Sequence, residues 1–90
     1  MDKIPNYILR EAKDKDKLIS VRIGHEGLSE SIVNELKDQL NRRRLIKVKA
    51  NRGVVENTEK RKVLFNLIAT ESNSILVFNR GNTAVYWSGK

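Results

Sequence analysis

The sequence contains no cysteine, which excludes disulfide bonds, cysteine-ligated zinc and thiol nucleophiles. Its one histidine, His25, has no neighbouring set of His, Cys or Asp residues, so no metal site and no cofactor are expected. No apolar run approaches the roughly 20 residues that span a bilayer, and the N-terminus lacks the continuous apolar segment of a signal peptide. We therefore expect a cytoplasmic protein with no membrane partner.

Catalytic patterns and aromatic side chains are also scarce. The sequence has no paired carboxylates in a metal-binding pattern, no nucleophile–base set and no Walker loop, so we predict that the protein is not an enzyme. Aromatic residues make up 6% of the chain, and no pair of them resembles the stacking platform of an RRM. Tyr7 is spaced as a core-facing helix residue. Phe78 and one of Tyr86 or Trp87 are expected to pack in the sheet.

Positive charge, by contrast, is abundant and concentrated in one stretch. The formal net charge is +7, yet residues 1–41 have one more acid than base, and residues 42–55 have six cations and no acid. A surface that only aids solubility usually intersperses both signs, which this stretch does not. The pattern therefore favours a nucleic acid as the partner. The cations of this stretch are Arg42, Arg43, Arg44, Lys47, Lys49 and Arg52.

Apolar spacing predicts alternating helices and strands with short connections. Helices are expected over 4–13, from the N-cap Ser29 to about Arg43, and from an N-cap at Asn57 or Thr58 to about Glu71. Pro5 fits the first position of the first helix. The predicted apolar stripes are Ile4, Tyr7, Ile8 and Ala12 on the first helix, Ile32, Val33, Leu36 and Leu40 on the second, and Val63, Leu64, Leu67 and Ile68 on the third.

Four strands are expected over 18–23, 45–50, 75–78 and 83–87, with a turn over 79–82. The chain is then a single α/β domain over residues 1–90, in the order αβαβαββ. Its four-stranded mixed sheet has helices packed on it, because two strand–helix–strand units favour parallel pairing and the last hairpin adds an antiparallel strand. Since Lys47 and Lys49 alternate with inward-facing apolar residues, part of one sheet face is expected to be open to water.

A Gly-x-x-Gly loop lies between the first predicted strand and the second helix. Glycine lets the backbone turn tightly and approach another backbone, and a helix N-terminus offers free N–H groups to a phosphate. The alternative is a tight turn without a ligand. Arg22 extends the basic stretch of residues 42–52 if the first two strands are neighbours. Cations at a helix C-terminus also complement the helix dipole, which is the alternative explanation for the arginines that end the second helix. The loop residues are Gly24, His25, Glu26 and Gly27.

These segments resemble the CRM domain family, also called the CRS1-YhbY domain, over essentially the whole chain. The match lies in Arg22-Ile23-Gly24-His25-Glu26-Gly27-Leu28-Ser29-Glu30-Ser31-Ile32-Val33, in Leu45-Ile46-Lys47-Val48-Lys49, and in Arg80-Gly81-Asn82-Thr83 with Tyr86. The resemblance implies RNA binding and a likeness to the C-terminal domain of bacterial initiation factor three. It also implies association of single-domain members with large-subunit ribosomal precursors.

The sequence departs from this family pattern at two places. His25-Glu26 stands where related loops often have a Lys, so a carboxylate lies near the expected phosphate. Trp87 stands where relatives usually have Arg, either as a core residue or as a stacking surface.

The expected function is thus a monomeric protein that binds structured RNA, in particular ribosomal RNA or its precursor, during large-subunit assembly. An architectural DNA-binding protein is the alternative, because the charge pattern fits duplex DNA equally well. The expected RNA-binding residues are Arg22, Gly24, His25, Glu26, Gly27, Arg42, Arg43, Arg44, Lys47, Lys49 and Arg52.

Overall fold

The computed structural model describes residues 4–13, 18–24, 27–51 and 58–89. The elements follow the predicted αβαβαββ order, which confirms the fold class. The helices are α1 (Asn6–Ala12), α2 (Glu30–Arg42) and α3 (Thr58–Glu71). The strands are β1 (Ser20–Ile23), β2 (Leu45–Ala50), β3 (Ile75–Arg80) and β4 (Thr83–Trp87). In the described ranges, no helix has the length and apolar character needed to cross a membrane.

The helix ends follow from local chemistry. Ser29 is the N-cap of α2 as predicted, and its Oγ accepts a hydrogen bond from the N–H of Ile32 at 3.3 Å. Pro5 is the N-cap residue of α1 and has an extended backbone, whereas it was predicted to occupy the first helical position. α3 ends in a Schellman motif, because Asn73 has a positive φ of 54° and the Ser74 N–H donates to the Ala69 carbonyl. The predicted cap of α3 by Asn57 or the Thr58 side chain lies outside the described residues.

The four strands form one mixed sheet in the order β1-β2-β4-β3. β2 pairs with β1 in parallel and with β4 in antiparallel orientation, and β4 also pairs with β3 in antiparallel orientation. β2 and β3 therefore run in the same direction with β4 between them. Because both helical crossovers progress in the same direction across the sheet, their right-handedness places α2 and α3 on one face.

The face beneath α2 and α3 contains the larger core. Leu36 and Leu40 of α2 are buried there as predicted, together with the apolar residues of β1 and β2 that alternate toward this side. On α3 the predicted stripe is wrong in part, because Val63 is 66% exposed and Leu67 is 44% exposed, whereas Phe65 is fully buried. The buried stripe is rotated by about one residue, and its members are Leu64, Phe65, Ile68 and Ala69.

Among the helices that the structure describes, α1 covers the opposite face, where Ile4 and Leu18 also pack. Ile8 and Ala12 of this short helix pack on Leu45, Val85 and Trp87, and form a second, smaller core. Trp87 is 7% exposed, which is the core environment that the sequence left open as one of two alternatives.

The aromatic side chains divide between the two cores. Tyr86 is buried on the α2–α3 face, where its hydroxyl donates to the Phe65 carbonyl at 2.8 Å. Trp87 and Phe78 pack on the α1 face, so both Tyr86 and Trp87 belong to the sheet packing rather than one of them. The expectation for Tyr7 is wrong, because it is 52% exposed and α1 contacts the sheet mainly through Ile8 and Ala12.

Candidate functional site

Every charged residue in the four strands is a cation, and all of them lie on the α1 face of the sheet. No strand contains an Asp or a Glu. Residues that pair directly across neighbouring strands share a face, so the register assigns these side chains to one side. The strand cations are Arg22, Lys47, Lys49 and Arg80.

Three of these cations lie in one row that crosses all four strands. The row is at the end of the sheet where β1 and β2 finish and where the β3–β4 turn lies. Arg22, Lys49 and Arg80 are exposed there, and Thr83 between them is half-buried. Arg22 pairs with Lys49, Lys49 with Thr83, and Thr83 with Arg80.

Arg80 was not among the predicted site residues, because residues 79–82 were expected to form the turn. β3 instead continues to Arg80, and the turn is the pair Gly81–Asn82, where Gly81 has a positive φ of 59°. A two-residue turn that begins with Gly is a standard hairpin connection. The alternation of Phe78 and Arg80 was the signal that could have extended the strand.

The loop that follows β1 begins beside this row. The Gly27 N–H donates to the Gly24 carbonyl at 3.0 Å, so the four-residue segment closes as one tight turn. Gly27 has a φ of 73°, a conformation that L residues rarely adopt. Gly24 has no such positive φ, and a Cβ atom there would be in ordinary van der Waals contact with the Asn51 Nδ2 atom at 3.9 Å. The two glycines therefore differ, because Gly27 has a backbone conformation that favours glycine and Gly24 does not.

Backbone hydrogen bonds connect the loops at this end. The Asn51 N–H donates to the Ile23 carbonyl at 2.9 Å, which joins the end of β2 to the end of β1. The Ala50 N–H donates to the Asn82 carbonyl at 2.8 Å, which joins the end of β2 to the hairpin turn. The row of cations therefore lies at an end of the sheet where backbone hydrogen bonds join the loops to the strands.

The N-terminus of α2 follows the glycine turn directly. Leu28 is half-buried against the larger core, and Ser29 caps the first turn. Glu30 occupies that first turn, where its carboxylate complements the helix dipole and competes with any other anion. The acidic residue in the first turn therefore makes this helix end less favourable for an anion than the row of cations is.

Arg42, Arg43 and Arg44 lie at the other end of the sheet. β2 runs from Leu45, beside these arginines, to Ala50, beside the glycine turn. At about 3.3 Å per residue, the two ends are roughly 16 Å apart. The cations of residues 42–52 were expected to form one strip beside the Gly-x-x-Gly loop, and this expectation is wrong for the three arginines.

The three arginines also diverge from one another. Arg42 lies 3.5 Å from Asp38 on α2, whereas Arg44 lies 3.9 Å from Glu11 on α1, which covers the opposite face. Arg43 is the exposed C-cap residue, and its N–H donates to the Gln39 carbonyl. The predicted neighbours Arg22 and Lys49 are brought together, and Lys47 lies on their face two residues earlier in β2.

Three expected site residues, His25, Glu26 and Arg52, lie outside the described residues. Among the residues that are described, no three His, Asp or Glu side chains cluster closely enough to hold a metal ion. The site therefore consists of cations, glycine backbone and small polar groups.

Comparison with known proteins agrees with this fold. The chain belongs to the CRS1/YhbY (CRM) domain family, which it matches over residues 6–87. This is a family of RNA-binding domains, so membership supports RNA binding. No curated protein matches the chain.

One solved structure is similar over most of both chains. It is the solution structure of SAV1595, a hypothetical protein from Staphylococcus aureus that is described as a candidate RNA-binding protein. The TM-score is 0.70 at 27% sequence identity, and the similarity covers 90% of this chain and 80% of that one.

Proposed function

We propose that this protein is a non-enzymatic, monomeric single domain that binds structured RNA through its phosphate backbone. The observation that supports this most directly is the charge of the sheet, where all four charged side chains are cations on one face. α1 packs on the apolar part of that face. Phosphates pair with such cations and release counterions.

The proposed site joins the sheet cations to the glycine turn. Lys49 and Arg22 are direct neighbours across β1 and β2, and Gly24 follows Arg22 by two residues. A phosphate that contacts the two cations can therefore approach the loop backbone. The proposed set also includes Lys47, His25, Glu26, Gly27 and Arg52, and it includes Arg42, Arg43 and Arg44 where the RNA extends to the far end of the sheet.

The proposed ligand is ribosomal RNA or its precursor, in the assembly of the large ribosomal subunit in the cytoplasm. This part of the proposal is supported by the resemblance to single-domain members of the family. Crosslinking the protein to RNA in its own cells, followed by sequencing of the bound RNA, tests it. Enrichment of large-subunit ribosomal RNA is expected, and enrichment of unrelated transcripts alone would contradict it.

Duplex DNA is the alternative ligand, because a phosphate-binding surface does not by itself distinguish the two nucleic acids. The test is a filter-binding comparison between a large-subunit ribosomal RNA transcript and a DNA duplex of equal length at the same salt concentration. Tighter binding of the RNA is expected. Equal or tighter binding of the DNA would overturn RNA as the ligand.

A charge variant tests whether the sheet face is the binding surface. Lys49→Gln removes one cation from the exposed row, so the slope of log affinity against log salt concentration should become shallower by about 0.7–0.9. Lys62→Gln is the matched control, because Lys62 is exposed on α3 at the opposite face. Identical slopes for both variants and the wild type would show that Lys49 does not contact phosphate.

A further inference from the structure

We infer that the bound RNA crosses the sheet perpendicular to its strands, and that Arg80 at the far side of the sheet is an RNA contact. This inference rests on the proposed function and adds the direction of the RNA. The alternative direction is along β2, from Lys49 through Lys47 toward Arg44. The register and the position of α1 favour the crosswise path.

The crosswise row has cations at both edges of the sheet. Arg22 is on the edge strand β1, and Arg80 is on the other edge strand, β3. Neighbouring strands are about 4.8 Å apart, so the backbone positions of Arg22 and Arg80 are separated by roughly 14 Å. A duplex has one charge per about 1.7 Å of its axis, so a nucleic acid that lies across the row presents several phosphates to it.

The path along β2 is obstructed by α1. Lys47 and Leu45 are successive residues on the same face, and Leu45 is 5% exposed because Ile8 and Ala12 of α1 pack over this region. Arg44, on the far side of that obstruction, has the carboxylate of Glu11 at 3.9 Å. A polyanion that follows β2 would meet the helix before it reached the arginine.

The crosswise path has no such obstruction in the described residues. Between Lys49 and Arg80 the row contains only Thr83, a small side chain with a hydroxyl group. The turn beyond Arg80 is fixed to β2 by the hydrogen bond from Ala50 to Asn82. The backbone at Arg80 is therefore held by strand pairing and by this hydrogen bond rather than placed on a free loop. This lowers the entropic cost of holding Arg80 against a ligand.

The composition of the row points to the phosphate backbone as the contacted group. No aromatic side chain belongs to it, so it offers no surface on which bases stack. No carboxylate occurs in any of the four strands, so the row has no anionic side chain of its own to compete with phosphates. Arg is well suited to this role because its guanidinium group can donate two parallel hydrogen bonds to a phosphate.

The test compares two arginines at opposite ends of the same face. Arg80→Gln and Arg44→Gln each remove one positive charge, and the affinity for a large-subunit ribosomal RNA transcript is measured between about 50 and about 200 mM KCl. A lost phosphate contact makes the slope shallower by about 0.7–0.9, so the ratio of wild-type to variant affinity changes roughly threefold over this range. We expect this change for Arg80→Gln and a smaller one for Arg44→Gln.

Two further variants serve as controls for the charge of Arg80 and for the opposite face of the protein. Arg80→Lys keeps the charge and should recover most of the slope, and Lys62→Gln on α3 should match the wild type. A thermal unfolding curve of each variant checks the fold, which should be retained because Arg80 is exposed.

The outcomes separate this inference from the proposed function. If Lys49→Gln loses slope while Arg80→Gln behaves like Lys62→Gln, the crosswise path is wrong and the proposed function stands. If Arg44→Gln loses slope instead of Arg80→Gln, the RNA follows β2. If neither Lys49→Gln nor Arg80→Gln differs from the control, the sheet face is not the binding surface and both proposals fail.

Discussion

The two faces of the sheet are built from the same strands and yet differ in charge and in cover. The face under α2 and α3 is closed by two helices whose acids and bases balance at five each. Of the described helices, the seven-residue α1 is the one that packs on the other face, and all four strand charges are positive there. The first face supplies the stability of the domain, whereas the second leaves room for a polyanion.

The difference arises residue by residue along β2. Ile46, Val48 and Ala50 are buried toward α2 and α3, whereas Lys47 and Lys49 point to the other side. Because side chains alternate along a strand, neighbours in the sequence contribute to different properties of the protein. Stability and RNA affinity should therefore respond to different substitutions.

The largest expected effect on stability comes from the closed face. Ile46 is fully buried, so Ile46→Ala should lower the free energy of unfolding by about 2–5 kcal/mol through lost burial and a cavity. Lys49→Ala, three residues away on the open face, should change it by less than about 0.5 kcal/mol. Urea denaturation of both variants measures the contrast, and similar losses would show that the open face also stabilises the domain.

The glycine turn allows a second contrast. Gly27→Ala should lower the free energy of unfolding by about 1–2 kcal/mol, because alanine is strained at a φ of 73°. Gly24→Ala should leave stability within about 0.5 kcal/mol and weaken RNA binding, because it adds a methyl group to the loop backbone that follows the cation row. Equal stability losses would mean that both glycines serve the turn, and unchanged RNA affinity of Gly24→Ala would remove the loop from the site.

The smallest of the three effects concerns the hydrogen bond between the sheet and α3. Tyr86→Phe removes the donor to the Phe65 carbonyl and should cost about 0.5–1.5 kcal/mol at neutral pH. Burial raises the pKa of the Tyr86 hydroxyl above its ordinary value near 10. The stabilisation is therefore complete below about pH 10 and is lost as the pH rises above that value.

The pH dependence has an internal control. All other side chains are the same in the wild type and in Tyr86→Phe, so the difference in unfolding free energy between the two proteins isolates Tyr86. This difference should shrink as the pH rises from about 9 to about 11. A difference that stays constant over this range would show that the hydroxyl is not held as the structure places it.

The order of the elements could be predicted from the sequence, because each segment has a clear apolar period and Ser29 marks the start of α2. The orientation of α3 could not, since Val63 and Leu67 are apolar residues on its exposed side. The prediction therefore chose a stripe about one residue away from the buried one, which includes Phe65. Periodicity identifies a face only where apolar residues are confined to it.

The candidate site was predictable in its residue types but not in its arrangement. The adjacency of Arg22 and Lys49 was expected if β1 and β2 pair, and they do. The place of Arg80 depends on β4 lying between β2 and β3, which no local pattern specifies. Likewise, Arg42 to Arg44 are close to Lys49 in sequence, but an extended strand separates them in space.

We propose that the open face of the sheet, at the end beside the glycine turn, is the RNA-binding surface. Backbone amide chemical shifts of the isotope-labelled protein, recorded with and without a large-subunit ribosomal RNA transcript fragment, test it most directly. We expect the largest chemical-shift changes at Arg22, Gly24, Lys49, Arg80 and Thr83, and small changes along the exposed side of α3. Changes concentrated on the outer surfaces of α2 and α3, with the sheet row unaffected, would contradict it.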